Sequence, residues 1–242
     1  MGRVSEGGEA HPVFRGRALR PRKSKIRVSE KENGSSEPGR GTMGKGPRET
    51  RIDEVIADVE RRCLARGVYM IGPEKGLFLR GLVERARPGF VVECGTALGY
   101  SGLHILSALQ SIGKGMLFTV EIDPIRAREA VKNFCRAGVS ELVEVMVGDA
   151  AEVLKGIAGS VDFLLLDNNF ENYYKSFLAV RRRLADGALI VADNAGIGAS
   201  AMADYLGHVR SRFTSELRWF DTALPWADRD AMEVTVFKTI SA

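Results

Sequence analysis

Acidic residues follow several short apolar runs of the sequence, at points where a strand would end. Glu121 closes the run MLFTVEI, Asp149 follows LVEVMV, and Asp167 follows VDFLLL. An acid at the carboxyl end of a parallel strand can accept the hydroxyl hydrogens of a ribose, and Asp149 and Ala150 fall where an adenine edge would lie. Each acid could instead cap the helix that follows it. Their recurrence after successive strands favours a binding site over accidental caps.

A glycine-rich segment, ECGTALGYSG, lies between the first strand-like run and a helical pattern. Its glycines are Gly95, Gly99 and Gly102, so three residues separate the first two. A dinucleotide-binding loop has the closer spacing GxGxxG, which admits a pyrophosphate. The segment therefore favours a ligand that approaches the backbone closely without a pyrophosphate, and it disfavours a nicotinamide-dependent dehydrogenase.

Strand-like and helix-like patterns alternate from residue 51 onward, which predicts a parallel sheet with helices on both faces. The strand-like runs cover residues 90–94, 116–122, 142–147, 161–166 and 188–192, followed by 215–220 and 232–239. No helical pattern separates the last two runs. Two successive strands without a crossover helix pair antiparallel if they are neighbours, so the sheet is expected to end in a hairpin.

Five segments in this order resemble one known family: VVECGTALGYSG, VEIDP, VGDA, LLLDNN and IVADN. They are similar to the class I S-adenosylmethionine-dependent O-methyltransferases of the catechol and caffeoyl-CoA type, over about residues 51–238. The resemblance implies an α/β fold with a Rossmann-like, doubly wound, seven-stranded sheet, mostly parallel with an antiparallel last strand.

The resemblance also implies a set of cofactor-binding residues. Glu93 and Gly95 would flank the methionine part of S-adenosylmethionine, and Ser101 would bind its carboxylate. Glu121 would hold the ribose. The full expected set is Ile71, Glu93, Gly95, Ser101, Glu121, Asp149, Ala150 and Asp167.

In this family the acid after the fourth strand and the Asp-Asn pair after the fifth bind one divalent cation. The corresponding residues are Asp167, Asp193 and Asn194. Two carboxylates and an amide carbonyl are hard oxygen ligands, which Mg²⁺ prefers. The cation expected is therefore Mg²⁺ or another divalent ion, and caps for the following helices are the alternative explanation.

The sequence departs from the family at the position of its general base. A lysine usually stands three residues after the first metal-binding acid, and here that position is Phe170, so the catalytic residue is unknown. Lys175 lies further along the predicted helix and would point elsewhere. The aromatic wall of the substrate site is also incompletely matched, with Tyr69 near one expected position and Trp226 in the final hairpin.

Three functions follow as hypotheses. The leading one is a divalent-metal-dependent O-methyltransferase acting on a hydroxyl of a small catechol-like substrate. The second is a tRNA-modifying methyltransferase of the same fold. The third is a protein that binds the cofactor without catalysis, a hypothesis suggested by Phe170 at the position of the family's general base.

The charge distribution divides the chain into two parts. Residues 1–50 contain 12 Lys or Arg and 6 Asp or Glu, although the whole chain has a net charge of only +4. Residues 1–48 are predicted to be a disordered basic tail that could bind RNA, and residues 49–242 a methyltransferase domain. Met43 is an alternative start, in which case residues 1–42 do not belong to the native protein.

The apolar runs and the cysteines of the sequence indicate a protein in a reducing compartment inside the cell. No run of about 18 apolar residues is present, so no membrane span is expected. Cys63, Cys94 and Cys135 lie in separate apolar segments and are predicted to be buried free thiols. We expect a cytoplasmic protein, and the family resemblance extends this expectation to a homodimer.

Overall fold

The structure, a computed structural model, describes residues 24–26 and 47–239. Its strands are β1 (Ser24–Ile26), β2 (Phe90–Cys94), β3 (Met116–Glu121), β4 (Val143–Val147), β5 (Val161–Leu166), β6 (Leu184–Ala192), β7 (Thr214–Leu224) and β8 (Ala227–Val236). Its α-helices are α1 (Pro47–Arg66), α2 (Pro73–Ala86), α3 (Tyr100–Ile112), α4 (Pro124–Ala137), α5 (Ala150–Leu154), α6 (Tyr173–Val180) and α7 (Ala203–Arg212).

All eight strands form one sheet in the order β1-β4-β3-β2-β5-β6-β8-β7. Strands β2 to β6 pair in parallel, and β8 pairs antiparallel with both β6 and β7. The predicted Rossmann-like sheet and its terminal hairpin are therefore confirmed. The hairpin folds so that its second strand, β8, enters the sheet beside β6 and its first strand takes the edge.

One strand lies in the segment predicted to be disordered. Ser24 to Ile26 pair antiparallel with Val147 to Val145 on β4, so the prediction of disorder is wrong for these three residues. Without β1, the outer edge of β4 would have unpaired backbone N–H and C=O groups. Pairing with them requires no apolar side-chain pattern, so the sequence gives no sign of this strand. The rest of the predicted tail before residue 47 lies outside the described residues, and the division into tail and domain stays a prediction.

Both faces of the sheet are covered. Helices α1 to α4 pack on one face and α5 to α7 on the other, and the side chains of Phe163 to Leu166 are inaccessible to solvent. A parallel strand buried on both faces consists mainly of apolar residues along its length. The polar residues that follow such strands are therefore concentrated at one edge of the sheet.

The cysteines agree only in part with the prediction. All three are free, and Cys63 and Cys94 are buried, but Cys135 is exposed. Cys135 lies near the end of α4, where its sulfur contacts the hydroxyl of Ser140 at 3.3 Å on the solvent side. Among the described residues, no helix has the length and apolar character needed to cross a membrane.

A buried histidine predicts how stability depends on pH. His104 on α3 is 4% exposed, and neither ring nitrogen has a hydrogen-bond partner among the described residues. Burial, assisted by Arg80, lowers its pKa to about 4 from an ordinary value of 6.5. The unfolded chain therefore binds this proton first as pH falls, and stability is lost between about pH 6.5 and pH 4, by about 3 kcal/mol in total.

The variant His104→Phe tests this expectation in urea unfolding measurements. The free energy of unfolding of the wild type, relative to the variant, is expected to fall as pH is lowered from 7 to 4.5. Comparing the two proteins at each pH removes the contributions of other titrating groups. A constant difference across this range would contradict the assignment.

Candidate active site

A cavity of about 830 Å³ opens at the carboxyl ends of the parallel strands. The loops after β2, β3, β4, β5 and β6 all contribute to its wall. Nearly all the residues predicted from the sequence line it: Ile71, Gly95, Ser101, Glu121, Asp149, Ala150, Asp167, Asp193 and Asn194. The topology thus brings together side chains that lie up to about half the chain apart.

Glu93 is the exception among the predicted cofactor residues. Its side chain is inaccessible to solvent and lies behind the cavity wall, where it accepts hydrogen bonds from Ser101 Oγ (2.5 Å) and Thr119 Oγ1 (2.6 Å). Burial raises its pKa to about 7, although both hydroxyl donors oppose the shift. Glu93 therefore orients Ser101, which does line the cavity.

Asp149 caps a helix and also lies in the cavity wall. Its carboxylate caps α5 by accepting a hydrogen bond from the backbone N–H of Glu152 at 3.0 Å, and the residue also lines the cavity. Asp123 is a plain cap, accepting from the N–H of Ile125 at 2.7 Å. Capping and ligand contact are compatible because a cap lies at the strand end that faces the cavity.

Glu121 is held rigidly at the end of β3. One carboxylate oxygen accepts a hydrogen bond from the N–H of Ala97 (2.8 Å), and the other accepts from the N–H of Asp123 (3.0 Å). Arg126 lies 2.9 Å from the second oxygen and also lines the cavity. The carboxylate is thus fixed in place with its remaining lone pairs available to hydroxyl donors.

The variant Glu121→Gln is expected to weaken S-adenosylmethionine binding by at least about tenfold. The amide replaces one acceptor oxygen with a donor that opposes a backbone N–H, and a charge-assisted hydrogen bond contributes about 1.5–3 kcal/mol. Isothermal titration calorimetry gives the dissociation constants. Glu129→Gln serves as control, because Glu129 pairs with Arg66 outside the cavity. Equal losses in the two variants would contradict a ribose-binding role.

Asp167 and Asp193 lie side by side beyond β5 and β6. The N–H of Asp167 donates to Cys94 O and the N–H of Asp193 to Leu166 O, both at 2.9 Å, which continues the pairing of the strands past their ends. Burial raises the pKa of both carboxyls, and the charge of Asp193 raises that of Asp167 further. The two acids therefore form a close, poorly solvated pair.

Two residues of the site were missed by sequence analysis. Lys75 on α2 places its ammonium 2.7 Å from Asp193 Oδ1 and 2.6 Å from Asp230 Oδ2, and each of the three side chains is 2% exposed. Burial lowers the pKa of Lys75, but Asp193 and Asp230 outweigh this effect and raise it. Lys75 stays protonated and is no proton acceptor.

The cluster contains more carboxyl groups than cationic groups. Three carboxylates, those of Asp167, Asp193 and Asp230, face a single ammonium, that of Lys75, which leaves a formal charge of −2 when all are ionised. No group of three or more His, Cys, Asp or Glu side chains in the described part of the chain is arranged to hold a metal ion. The predicted ligand set has only two such residues, the third being Asn194.

The outer part of the cavity is aromatic. Phe170, at the position of the family's lysine, lines it, and Lys175 is exposed on α6 and does not. Tyr69 and Trp226 meet edge to face with ring centroids 5.2 Å apart, although the sequence separates them by most of the domain. A flat apolar molecule could pack against these rings.

Comparisons with known proteins agree with this architecture. Residues 92–195 match a family model described as a methyltransferase domain. A protein of Mycobacterium sp. (strain JLS) that is named as an O-methyltransferase is 30% identical over 62% of this chain and 68% of its own length. The catechol O-methyltransferase of Niastella koreensis is 34% identical over 51% of this chain and 57% of its own length.

A solved structure shows the same fold. The O-methyltransferase of Bacillus cereus, crystallised in complex with SAH, superposes with a TM-score of 0.68 at 22% identity, covering 80% of this chain and 93% of that one. The 30% identity to the Mycobacterium protein over 68% of its length shows that the chain belongs to the O-methyltransferase family. It spans only 57% of the length of the catechol relative.

Proposed function

We propose that the protein is a divalent-metal-dependent O-methyltransferase that moves a methyl group from S-adenosylmethionine to a hydroxyl of a small, catechol-like substrate. The observation that carries the proposal is the placement of Asp167, Asp193 and Asn194 on one wall of the cavity that Gly95 and Glu121 also line. A cofactor in the glycine-loop part of the cavity would bring its methyl group towards this acidic wall.

The residues present fit a divalent cation. The cluster has a formal charge of −2 when ionised, and Lys75 is shared between two carboxylates and cannot neutralise all three. Burial and the charge of Asp193 raise the pKa of Asp167, and the ammonium of Lys75 only partly opposes them. Carboxylate and amide oxygens are suitable ligands for Mg²⁺, which keeps further positions for water or substrate.

The aromatic mouth supports a small planar substrate. Tyr69 and Trp226 stand at the entrance, with Phe170 and Ile197 in the wall. Pockets of this kind combine apolar walls with a few polar groups that fix orientation. The substrate ring would pack on the aromatic side while its hydroxyls point to the acidic wall.

The chain's own residues contribute mainly by positioning. A bound divalent cation makes a coordinated hydroxyl more acidic. Glu121 and the glycine loop orient the cofactor, and Phe170 lines the cavity without taking a proton. In the transfer the substrate oxygen forms a bond to the methyl carbon, the S–C bond breaks, the sulfonium becomes a thioether, and the hydroxyl proton passes to water. Orientation alone can supply a large part of such a rate enhancement.

The test is methyl transfer from labelled S-adenosylmethionine to a catechol panel and to bulk tRNA, using the full chain in magnesium and in EDTA. We expect labelling of a catechol in magnesium, loss in EDTA, and recovery when magnesium is restored. Labelling of tRNA alone would move the function to RNA modification, and deletion of residues 1–42 would then show whether the basic segment delivers the RNA. Cofactor binding without any labelling would favour a non-catalytic binder.

A further inference from the structure

A buried polar network stands directly behind the acidic wall of the cavity. Asp230 on β8 receives four hydrogen bonds: Lys75 Nζ (2.6 Å) and Asn194 Nδ2 (2.8 Å) donate to Oδ2, and the N–H groups of Gly196 (3.2 Å) and Ile197 (2.9 Å) donate to Oδ1. The network joins helix α2, the loop after β6 and strand β8. It contacts the wall at Asp193 and Asn194.

We propose that Asp230 and Lys75 are positioning residues that set the ligand atoms of Asn194 and Asp193 for the cation. The inference rests on the proposed function, because it concerns the metal ligands of that site. Neither residue is placed to touch the substrate, and both act through the two ligands that they hold.

Asp230 determines which way the amide of Asn194 faces. An ionised carboxylate can only accept hydrogen bonds, so Asn194 must present its NH₂ group to Asp230. The amide oxygen is thereby directed away from Asp230 and is the atom left for a cation. All four groups that contact the oxygens of Asp230 are hydrogen-bond donors, which is the environment of a carboxylate that only accepts.

The backbone of Asn194 supports the same conclusion. Its φ angle is +55°, in the left-handed region that non-glycine residues adopt uncommonly. The two backbone N–H groups that Asp230 accepts, from Gly196 and Ile197, lie in the same turn and hold it in this shape. Strained conformations persist where the surroundings fix them, and they are concentrated at functional sites.

Lys75 acts in the same way on Asp193. Its ammonium binds Asp193 Oδ1 at 2.7 Å, which fixes the rotation of the carboxylate and leaves Oδ2 for the cation. A buried ion pair of this kind is often no more stabilising than apolar residues of similar volume. Its presence at the cavity wall is therefore better explained by orientation of a ligand than by stability.

The experiment compares the wild type with the double variant Lys75→Met/Asp230→Leu. The double substitution removes one positive and one negative charge, so the formal charge of the site is unchanged and only positioning is lost. Mn²⁺ is titrated into the metal-free full-length protein, and free Mn²⁺ is measured by electron paramagnetic resonance. We expect Mn²⁺ binding at least tenfold weaker in the double variant. Circular dichroism and calorimetry with S-adenosylmethionine report folding and the cofactor site independently.

The matched control is Arg210→Met/Glu233→Leu. Arg210 pairs with the buried Glu233, which is also on β8, and neither residue lines the cavity. This control is expected to bind Mn²⁺ as the wild type does. Unchanged Mn²⁺ affinity in the Lys75/Asp230 variant would overturn the inference while leaving the proposed metal site intact. A wild type that binds no Mn²⁺ would instead remove the metal site and the inference with it.

Discussion

Asp167→Asn is expected to lower methyl transfer at least about a thousandfold while leaving the metal-free protein as stable as the wild type or more stable. The activity falls because one of the two carboxylate ligands is lost, and charge stabilisation at such sites contributes several kcal/mol. Stability does not fall, because burial and the charge of Asp193 both disfavour ionised Asp167 when no cation is present. The asparagine removes that repulsion and keeps the shape of the side chain.

The measurements are initial rates in magnesium and urea unfolding in EDTA. Asp193→Asn is the informative comparison, because Asp193 is paired with the buried ammonium of Lys75. That variant is expected to lose both activity and stability, since it leaves Lys75 with one carboxylate fewer. Retention of activity within tenfold in Asp167→Asn would exclude Asp167 as a ligand, and a clear loss of metal-free stability would contradict the repulsion between the two acids.

Gly95→Ala is expected to destabilise the protein by more than about 3 kcal/mol and to abolish cofactor binding. Gly95 has φ +99°, and a Cβ atom there would lie 2.1 Å from the backbone oxygen of Asp167. The clash is with backbone at the end of a buried strand, so no side chain can rotate away to relieve it. Either the glycine loop or the end of β5 must move, and both line the cavity.

Gly113→Ala is the matched control. Gly113 has φ +69°, but a Cβ atom there would meet nothing within 4 Å. It carries only the left-handed backbone penalty, about 1 kcal/mol. Thermal and urea unfolding give the stabilities, and calorimetry gives the cofactor affinity. Similar effects in the two variants would show that Gly95 is needed for its backbone angle alone and not for the close approach to Asp167.

The sequence alone determined the sheet and the place of the site. Apolar runs such as residues 161–166 alternate with helical patterns, and this periodicity is a local property that reflects burial on both faces. Because the strands are parallel, every residue that follows one lies at the same edge. Glu121, Asp149 and Asp167 could therefore be assigned to one site before any contact between them was known, and the family resemblance added Asp193 to it.

The tertiary structure decided the contacts across long sequence separations. Lys75 meets Asp230 across 155 residues, and Tyr69 meets Trp226 at the cavity mouth. The hairpin pattern predicts that β7 and β8 pair, but it does not specify which of them lies beside β6. Because β8 lies beside β6, Asp230 is next to Asn194. Whether β7 or β8 takes the place beside β6 depends on the packing of the whole sheet.

The tertiary structure also decided what each predicted side chain does. Glu93 lies behind the cavity wall, because β2 is buried on both faces and its side chain turns inward to Ser101 and Thr119. Asp149 is a helix cap and a wall residue together. Residue type and spacing determine which side chains reach the edge of the sheet. The partners that orient those side chains lie on helices and strands far away in the sequence, and a local sequence pattern does not show that these elements are neighbours.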